Sequence, residues 1–256
     1  MKLKNLEKHW DAFGRINPMG AILTENRQAF PWDRQWDAKA FFETGVREID
    51  HVMEYAATLP VNFARQRALD FGCGIGRLTQ GLAAHFSEIH GVDIAPSMIK
   101  AASQFNCYGE RCHYHLNPAS DLRLFPDDHF DFIYSNIVLQ HMEPCYSRKY
   151  IQEFIRILVP GGLLVFQLPS ELLKLSAAKK LIRFCVPPKL LYLYRNAKWC
   201  LIDFSRKKPR MELYGINKSE VVHLVENAQG KIEDIQVDNR DTAEEHWNHY
   251  QYSVTK

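Results

Sequence analysis

From residue 66 onward, short apolar runs alternate with amphipathic stretches. The periodicity predicts strands near 66–71, 88–93, 111–116, 130–135 and 162–168, and helices near 75–85, 96–105 and 145–158. The clearest helix places Tyr146, Tyr150, Ile151, Phe154, Ile155 and Leu158 on one stripe. Pro96 suits the first turn of the helix it opens, where a missing N–H costs nothing. Farther on, Asn217-Lys-Ser-Glu220 has the composition of a helix cap. Val221, Val222, Leu224 and Val225 follow as a buried face, with Gly230 as the stop. Two final strands are expected at 232–237 and 250–254. Such alternation of strand and helix implies a mostly parallel sheet with helices laid on it.

Upstream, residues 1–62 are helical in pattern and aromatic, with Trp10, Phe13, Trp32, Trp36, Phe41 and Phe42. Between 37 and 55, Phe41, Phe42, Val46, Ile49, Val52 and Met53 fall near helical spacing, as in a helix packed on a sheet.

Composition narrows the class. The chain of 256 residues suits one α/β domain with decorations, or a domain with a small cap, and 46% hydrophobic residues can fill a sizeable core. No run of about 18 apolar residues is present, so no membrane-spanning helix is expected. The charged opening lacks the apolar stretch of a signal peptide. Six cysteines (73, 107, 112, 145, 185 and 200) show no secreted framework, which points to a reducing cytoplasm. Charge is uneven. Residues 169–210 hold eleven Lys/Arg against Glu171 and Asp203, a balance of +9 in a chain of net +2. That stretch is also oily, and Pro187-Pro188 would break any long helix in it.

The sharpest chemical signal is Arg67-Ala-Leu-Asp-Phe-Gly-Cys-Gly-Ile-Gly-Arg77, followed by Gly91-Val-Asp-Ile94. Glycines let backbone turn tightly against a ligand, and amides at a helix start favour polar or anionic groups. A carboxylate at the tip of the next strand, here Asp93, can accept from both hydroxyls of a ribose. Together they describe a nucleoside-binding crevice. The spacing is G-x-G-x-G rather than the G-x-G-x-x-G of dinucleotide enzymes. Asp70, two residues before Gly72, can meet a ligand ammonium directly or through water.

On these residues the chain resembles the class I S-adenosylmethionine-dependent methyltransferases, of the methyltransferase domain 11/25 type. The likeness continues in Phe125-Pro-Asp-Asp-His-Phe-Asp-Phe-Ile-Tyr-Ser-Asn136, similar to the family's fourth strand and its approach. Leu158-Val-Pro-Gly-Gly-Leu-Leu-Val-Phe166 resembles the turn into the fifth, so the match covers about 66–168. The resemblance implies a Rossmann-like, seven-stranded, mostly parallel sheet whose last two strands are antiparallel. It divides the chain into a helical lid or packing segment, 1–62, and a methyltransferase domain, 63–256, with a basic cap inserted at 169–210 after strand five. It further implies S-adenosylmethionine as cofactor. Gly72, Gly74 and Gly76 would line its methionine and ribose, and Asp93 would hold the ribose. Ile94 and Met98 would pack on adenine, and Asp121 in Ser120-Asp-Leu122 would meet the exocyclic amine. Asn136 would lie near the methionine. Asn117-Pro118 departs from the acid usual earlier in that loop.

For a hydroxyl acceptor a base is needed, and His141, just past strand four, is the candidate. A packing histidine that merely shapes the pocket is the bland alternative. Tyr214 and Glu212 are secondary acceptor contacts. Cys107-x4-Cys112-His113-x-His115 has metal-like spacing, but strand alternation is expected to turn His113 away from Cys112 and His115, so no metal is expected. His246-x-x-His249 is expected on the surface. The resemblance implies methyl transfer to O or N of a small-molecule, glycan or lipid-linked acceptor. The basic, aromatic cap tilts this toward a glycan or lipid-linked acceptor, with peripheral membrane contact through 169–210; a solvated helical hairpin over the sheet edge is the alternative for that segment. Within enzymes the second reading is an RNA methyltransferase. Nucleic acid is disfavoured because no RNA-binding module is recognisable and N/D-P-P-Y/F is missing after strand four. A catalytically silent binding subunit is the reading from another class.

Overall fold

The computed structural model describes residues 1–23, 36–172, 209–238 and 247–256. One sheet holds β1 (Arg67–Phe71), β2 (Glu88–Asp93), β3 (Cys112–Leu116), β4 (Phe130–Ser135), β5 (Leu158–Leu172), β6 (Lys231–Asp238) and β7 (Trp247–Thr255). Their order is β3-β2-β1-β4-β5-β7-β6. The first five strands pair in parallel, while β7 runs antiparallel between β5 and β6. This is the expected Rossmann-like sheet. Strand order reverses between β1 and β4, and in open α/β sheets a crevice forms at that switch point, beyond the carboxyl ends of the strands.

Strand parity separates two cores. Leu69, Phe71, Ile133, Leu164 and Phe166 point to one face, and α6 (Pro144–Ile157) and α7 (Lys218–Asn227) cover them. Ala68, Phe132, Leu163 and Val165 point to the other, under α3 (Ala38–Ala56) and α4 (Arg77–Leu82). Gly45 and Gly81 allow α3 and α4 to approach: a Cβ on Gly81 would stand 2.8 Å from the Gly45 carbonyl oxygen. The aromatic N-terminal stretch divides. α3 packs on the sheet, whereas α1 (Leu3–Ile16) and α2 (Pro18–Ile22) lie toward the crevice. Asp11 of α1 accepts from the Ser97 backbone N–H at 2.9 Å, tying α1 to α5 (Pro96–Phe105).

Three boundaries differ from the pattern. α4 is shorter than 75–85 because Gly76 is left-handed at its start (φ 84°) and the chain after Leu82 tightens into shorter-range backbone bonds. β5 begins at Leu158 and runs to Leu172, with a register break opposite Phe130–Phe132, so residues 169–172 are strand rather than cap. Residues 173–208, and with them most of the basic insert, lie outside the described residues, as does Trp32. The helix at 218–227 is followed by Gln229 at φ 66°, so Gln229 takes the left-handed stop expected of Gly230.

Alternation on β3 corrects one expectation. His113 and His115 are two residues apart and therefore share a face; the His90 ring stacks on both, with centroids 5.0 and 5.1 Å away. Cys112 alone points to the opposite core, beside Ile89 and Phe132.

Candidate active site

At the switch point the described residues enclose a cavity of about 610 Å³. Its base is the loop between β1 and α4. Gly72 and Gly74 have φ of 79° and 55°, a region open to glycine, and a Cβ on Gly72 would strike Val138 at 2.3 Å. Asp93 closes the loop from β2. Its Oδ2 accepts from the Gly74 N–H at 2.9 Å and its Oδ1 from the Ala95 N–H at 2.8 Å. Burial pushes the Asp93 carboxyl upward while those amides pull it back. The carboxylate is thus fixed on the cavity wall with lone pairs to spare for a ligand.

A charged group lies beside the loop. Glu48 of α3 accepts from the Arg77 guanidinium at 2.7 Å, from the Tyr134 hydroxyl at 3.1 Å, and from the side-chain amide of Asn136. With Nδ2 committed to Glu48, Asn136 Oδ1 is left buried without a hydrogen-bond partner. A buried, unmatched acceptor is costly unless a ligand donor meets it, and an ammonium group fits that need.

The opposite wall takes residues from distant segments. Leu3, Leu6 and Trp10 come from α1, Val138, Gln140, His141 and Met142 from the turn after β4, Gln167 from β5, Met211 from the chain returning toward α7, and His249 from β7. Next to Val138, Ile137 is held at φ 58°, a strained conformation for a β-branched residue that costs about 1–3 kcal/mol. His141 Nδ1 lies 3.0 Å from the Glu212 carbonyl oxygen, and its ring meets Trp10 edge-on at 5.4 Å. Donation from Nδ1–H to that carbonyl leaves the lone pair on Nε2. Burial lowers the His141 pKa, keeping the ring neutral. Gln167 Nε2 stands 2.8 Å from His249 Nδ1 and 3.4 Å from Gln140 Oε1, and Gln167 Oε1 is buried without a partner.

Of the residues singled out in the sequence, Gly72, Gly74, Asp93, Ile94, Met98, Asn136 and His141 line one cavity. Four other expected residues do not line it. Asp70 has the parity of Ala68 and turns toward α4, where the Thr79 hydroxyl donates to it at 2.6 Å; burial lifts its carboxyl to about 7. Gly76 caps α4. Leu122 is buried in the core, and Asp121 is held by Arg123 at 2.8 Å and Lys149 at 3.2 Å, which bring it down to about 2. Asn117 lines the cavity instead, its side chain donating to the Asp121 carbonyl at 2.7 Å. Tyr214 and Glu212 support the wall from behind: the Tyr214 N–H donates to the Gln140 carbonyl at 2.8 Å.

His249 overturns a second expectation. It is 4% exposed and faces the cavity, because β7 pairs with β5 inside the sheet and sets His249 opposite Pro169. His246 lies outside the described residues. Glu48, Arg77, Gln140 and Gln167 were not singled out by sequence. Only Arg77 carried any signal, by adjoining the glycine run.

The fold is Rossmann-like, with the cavity at its topological switch point. Residues 69–166 match the family model described as a methyltransferase domain. A malonyl-[acyl-carrier protein] O-methyltransferase of Halorhodospira halophila is 32% identical over 145 residues, covering 52% of this chain and 46% of the relative. A ubiquinone biosynthesis O-methyltransferase of Cereibacter sphaeroides is 26% identical over 162 residues, covering 60% and 64%. The chain spans about half the length of the first curated relatives it matches. The structure of magnesium protoporphyrin IX methyltransferase from Synechocystis PCC 6803 with bound SAH superposes with a TM-score of 0.60 at 14% identity, covering 99% of each chain. Residues 69–166 thus match a methyltransferase domain, and the fold is that of the class I S-adenosylmethionine-dependent methyltransferases. The cofactor of this family is S-adenosylmethionine, and the anchored Asp93, the open glycine loop and the unmatched Asn136 oxygen fit it.

Proposed function

We propose that this protein methylates a hydroxyl oxygen of a small, largely apolar molecule, with His141 as general base. One observation carries the reading: neutral His141 lines the cavity, oriented through Nδ1 by the Glu212 carbonyl, and its Nε2 accepts only a long 3.4 Å contact from the Gln140 side-chain amide, which an acceptor hydroxyl would replace. S-adenosylmethionine, when bound, supplies a methyl group on a sulfonium that is open to in-line displacement. Asp93 and Asn136 bind and orient it. His141 Nε2 takes the hydroxyl proton as the oxygen becomes nucleophilic, an effect worth about 10²–10⁴ in rate. Gln167 Oε1 is a second hydrogen-bond acceptor on that wall. Acceptors on both His141 and Gln167, linked through Gln140, favour a group that donates, a hydroxyl rather than a carboxylate. Leu3, Leu6, Trp10, Val138 and Met142 exclude water around it.

The basic, aromatic composition of 169–210 supports a narrower version, in which the acceptor is a glycan or lipid-linked and that segment rests on an anionic membrane. Among the described residues no helix is long and apolar enough to cross a membrane. Four described cysteines are unpaired, in keeping with a reducing, cytoplasmic setting.

Calorimetry with S-adenosylmethionine, followed by radiolabelled methyl transfer to a panel of phenols and aliphatic alcohols, tests the reading. Cofactor binding with transfer to hydroxyls supports it. Cofactor binding with transfer only to carboxylates or amines would remove His141 as base. Binding without transfer to any acceptor would favour the silent-subunit alternative. Co-sedimentation with anionic against neutral vesicles tests the membrane contact.

A further inference from the structure

At the amino ends of β2 and β3, Glu88, His90 and His113 bring one ligand atom each within 4.8 Å of the others. We propose that these three residues form a zinc-type divalent metal site that clips the edge strand β3 to β2. His90 and His113 are register partners across the two parallel strands, so a shared ligand would bridge the ladder. Glu88 Oε1 is 2.9 Å from His90 Nε2 and 3.7 Å from His113 Nε2. Tetrahedral zinc with bonds of 2.0–2.2 Å separates its ligands by about 3.3 Å, between those two values.

The surroundings fit the chemistry. Arg67 Nε stands 4.0 Å from the other carboxylate oxygen, Oε2, which leaves Oε1 as a single-oxygen ligand. His90 Nδ1 lies 2.9 Å from His115 Nε2. Donation from Nδ1–H to His115 would fix the tautomer that bares Nε2, as second-shell partners do at zinc sites. Without metal the same relay can run the other way, from His115 through His90 to Glu88, so the cluster stays satisfied. Phe125 and Phe130 pack edge-on to the His90 ring at 5.5 and 5.4 Å and restrict its rotation. Glu88 and His113 are 43% and 41% exposed, which gives the ion an entry path and room for water as the fourth ligand. Two imidazoles and a carboxylate suit zinc rather than magnesium or calcium, which favour all-oxygen shells.

The site is separate from the cofactor crevice, since Glu88 and Asp93 sit at opposite ends of β2, about 16 Å apart along the strand. Its role would be structural. Among described strands β3 pairs only with β2, and a metal bridge would stiffen that edge.

The test titrates chelator-treated full-length protein with zinc chloride, and with magnesium chloride as control. Calorimetry gives affinity, and histidine ¹⁵N NMR gives the His90 tautomer. We expect micromolar zinc binding and no magnesium binding, with the His90 proton moved from Nε2 to Nδ1. Glu88→Gln and His113→Asn should each weaken zinc at least about tenfold, because each removes one of only three ligands. Both positions are half-exposed, and S-adenosylhomocysteine binding checks that the variants remain folded. His115→Phe should weaken zinc about tenfold through the second shell. Absence of zinc binding, or equal affinity in wild type and both ligand variants, would overturn the proposal. So would a His90 that still carries its proton on Nε2 at zinc saturation.

Discussion

Between Phe71 and Asp93 one β–α–β unit supplies the glycine loop, the helix start and the carboxylate that holds them together. The facing wall has no such unit. Its groups arrive singly from α1, the turn after β4, the middle of β5 and the start of β7, separated by up to 246 positions between Leu3 and His249. Under the proposed function the difference follows from what each side would bind. A cofactor shared by a whole family can be met by a contiguous backbone shape. An acceptor that differs from enzyme to enzyme is met by side chains on interchangeable segments.

The comparison breaks first at His141. His141→Ala should lower kcat by about 10²–10⁴ while cofactor affinity stays within about twofold. Its pH profile carries a sign as well. Burial lowers the pKa, so the neutral base survives to lower pH than an ordinary histidine, and the acid limb of kcat should lie below pH 6.5. An acid limb above 6.5, or a fall in cofactor affinity matching the fall in rate, would assign His141 to the cofactor side.

Next in size is Asp93→Ala, which removes a charged hydrogen-bond acceptor and the anchor of Gly74. Affinity for S-adenosylhomocysteine should drop about 10–100-fold by calorimetry, with the folded structure retained. Gln167→Leu should act only on the other wall. It removes the Oε1 acceptor and should raise KM for the acceptor about tenfold, with the cofactor constant unmoved.

The smallest effect concerns Asp70, which lies under the loop but outside the cavity. Its folded pKa of about 7 exceeds the ordinary 3.8, so the folded state holds a proton that the unfolded chain has already lost. Stability from this group is complete below pH 3.8 and is lost as pH rises toward 7. Asp70→Asn should therefore raise Tm by about 2 °C or more at pH 8, with less effect at pH 4. A Tm gain that is larger in acid would show that the Asp70 charge is stabilised by its surroundings.

The same contrast explains which residues could be read in advance. Gly72, Gly74 and Asp93 were legible because backbone shape and a fixed strand offset leave a local signature. Asp70 sits in the same run but was misplaced, because alternation along β1 sends it to the Thr79 side. His249 was expected on the surface because nothing around it in sequence marks its burial. Only the pairing of β7 with β5 puts it against the cavity. His113 and His115 show the opposite lapse: period-two geometry already placed them together, and the structure added His90 and Glu88 from the neighbouring strand.

Sequence by itself determined the strand–helix alternation, the order of motifs, the nucleoside crevice and the uneven charge. Each depends on neighbours a few residues apart, where backbone geometry fixes the relation. Tertiary structure alone decided which polar groups share the cavity, that Asn136 and Gln167 each keep an unmatched oxygen there, and that a histidine–carboxylate cluster spans β2 and β3. Those facts rest on strand order and register, which bring together residues that no local rule relates.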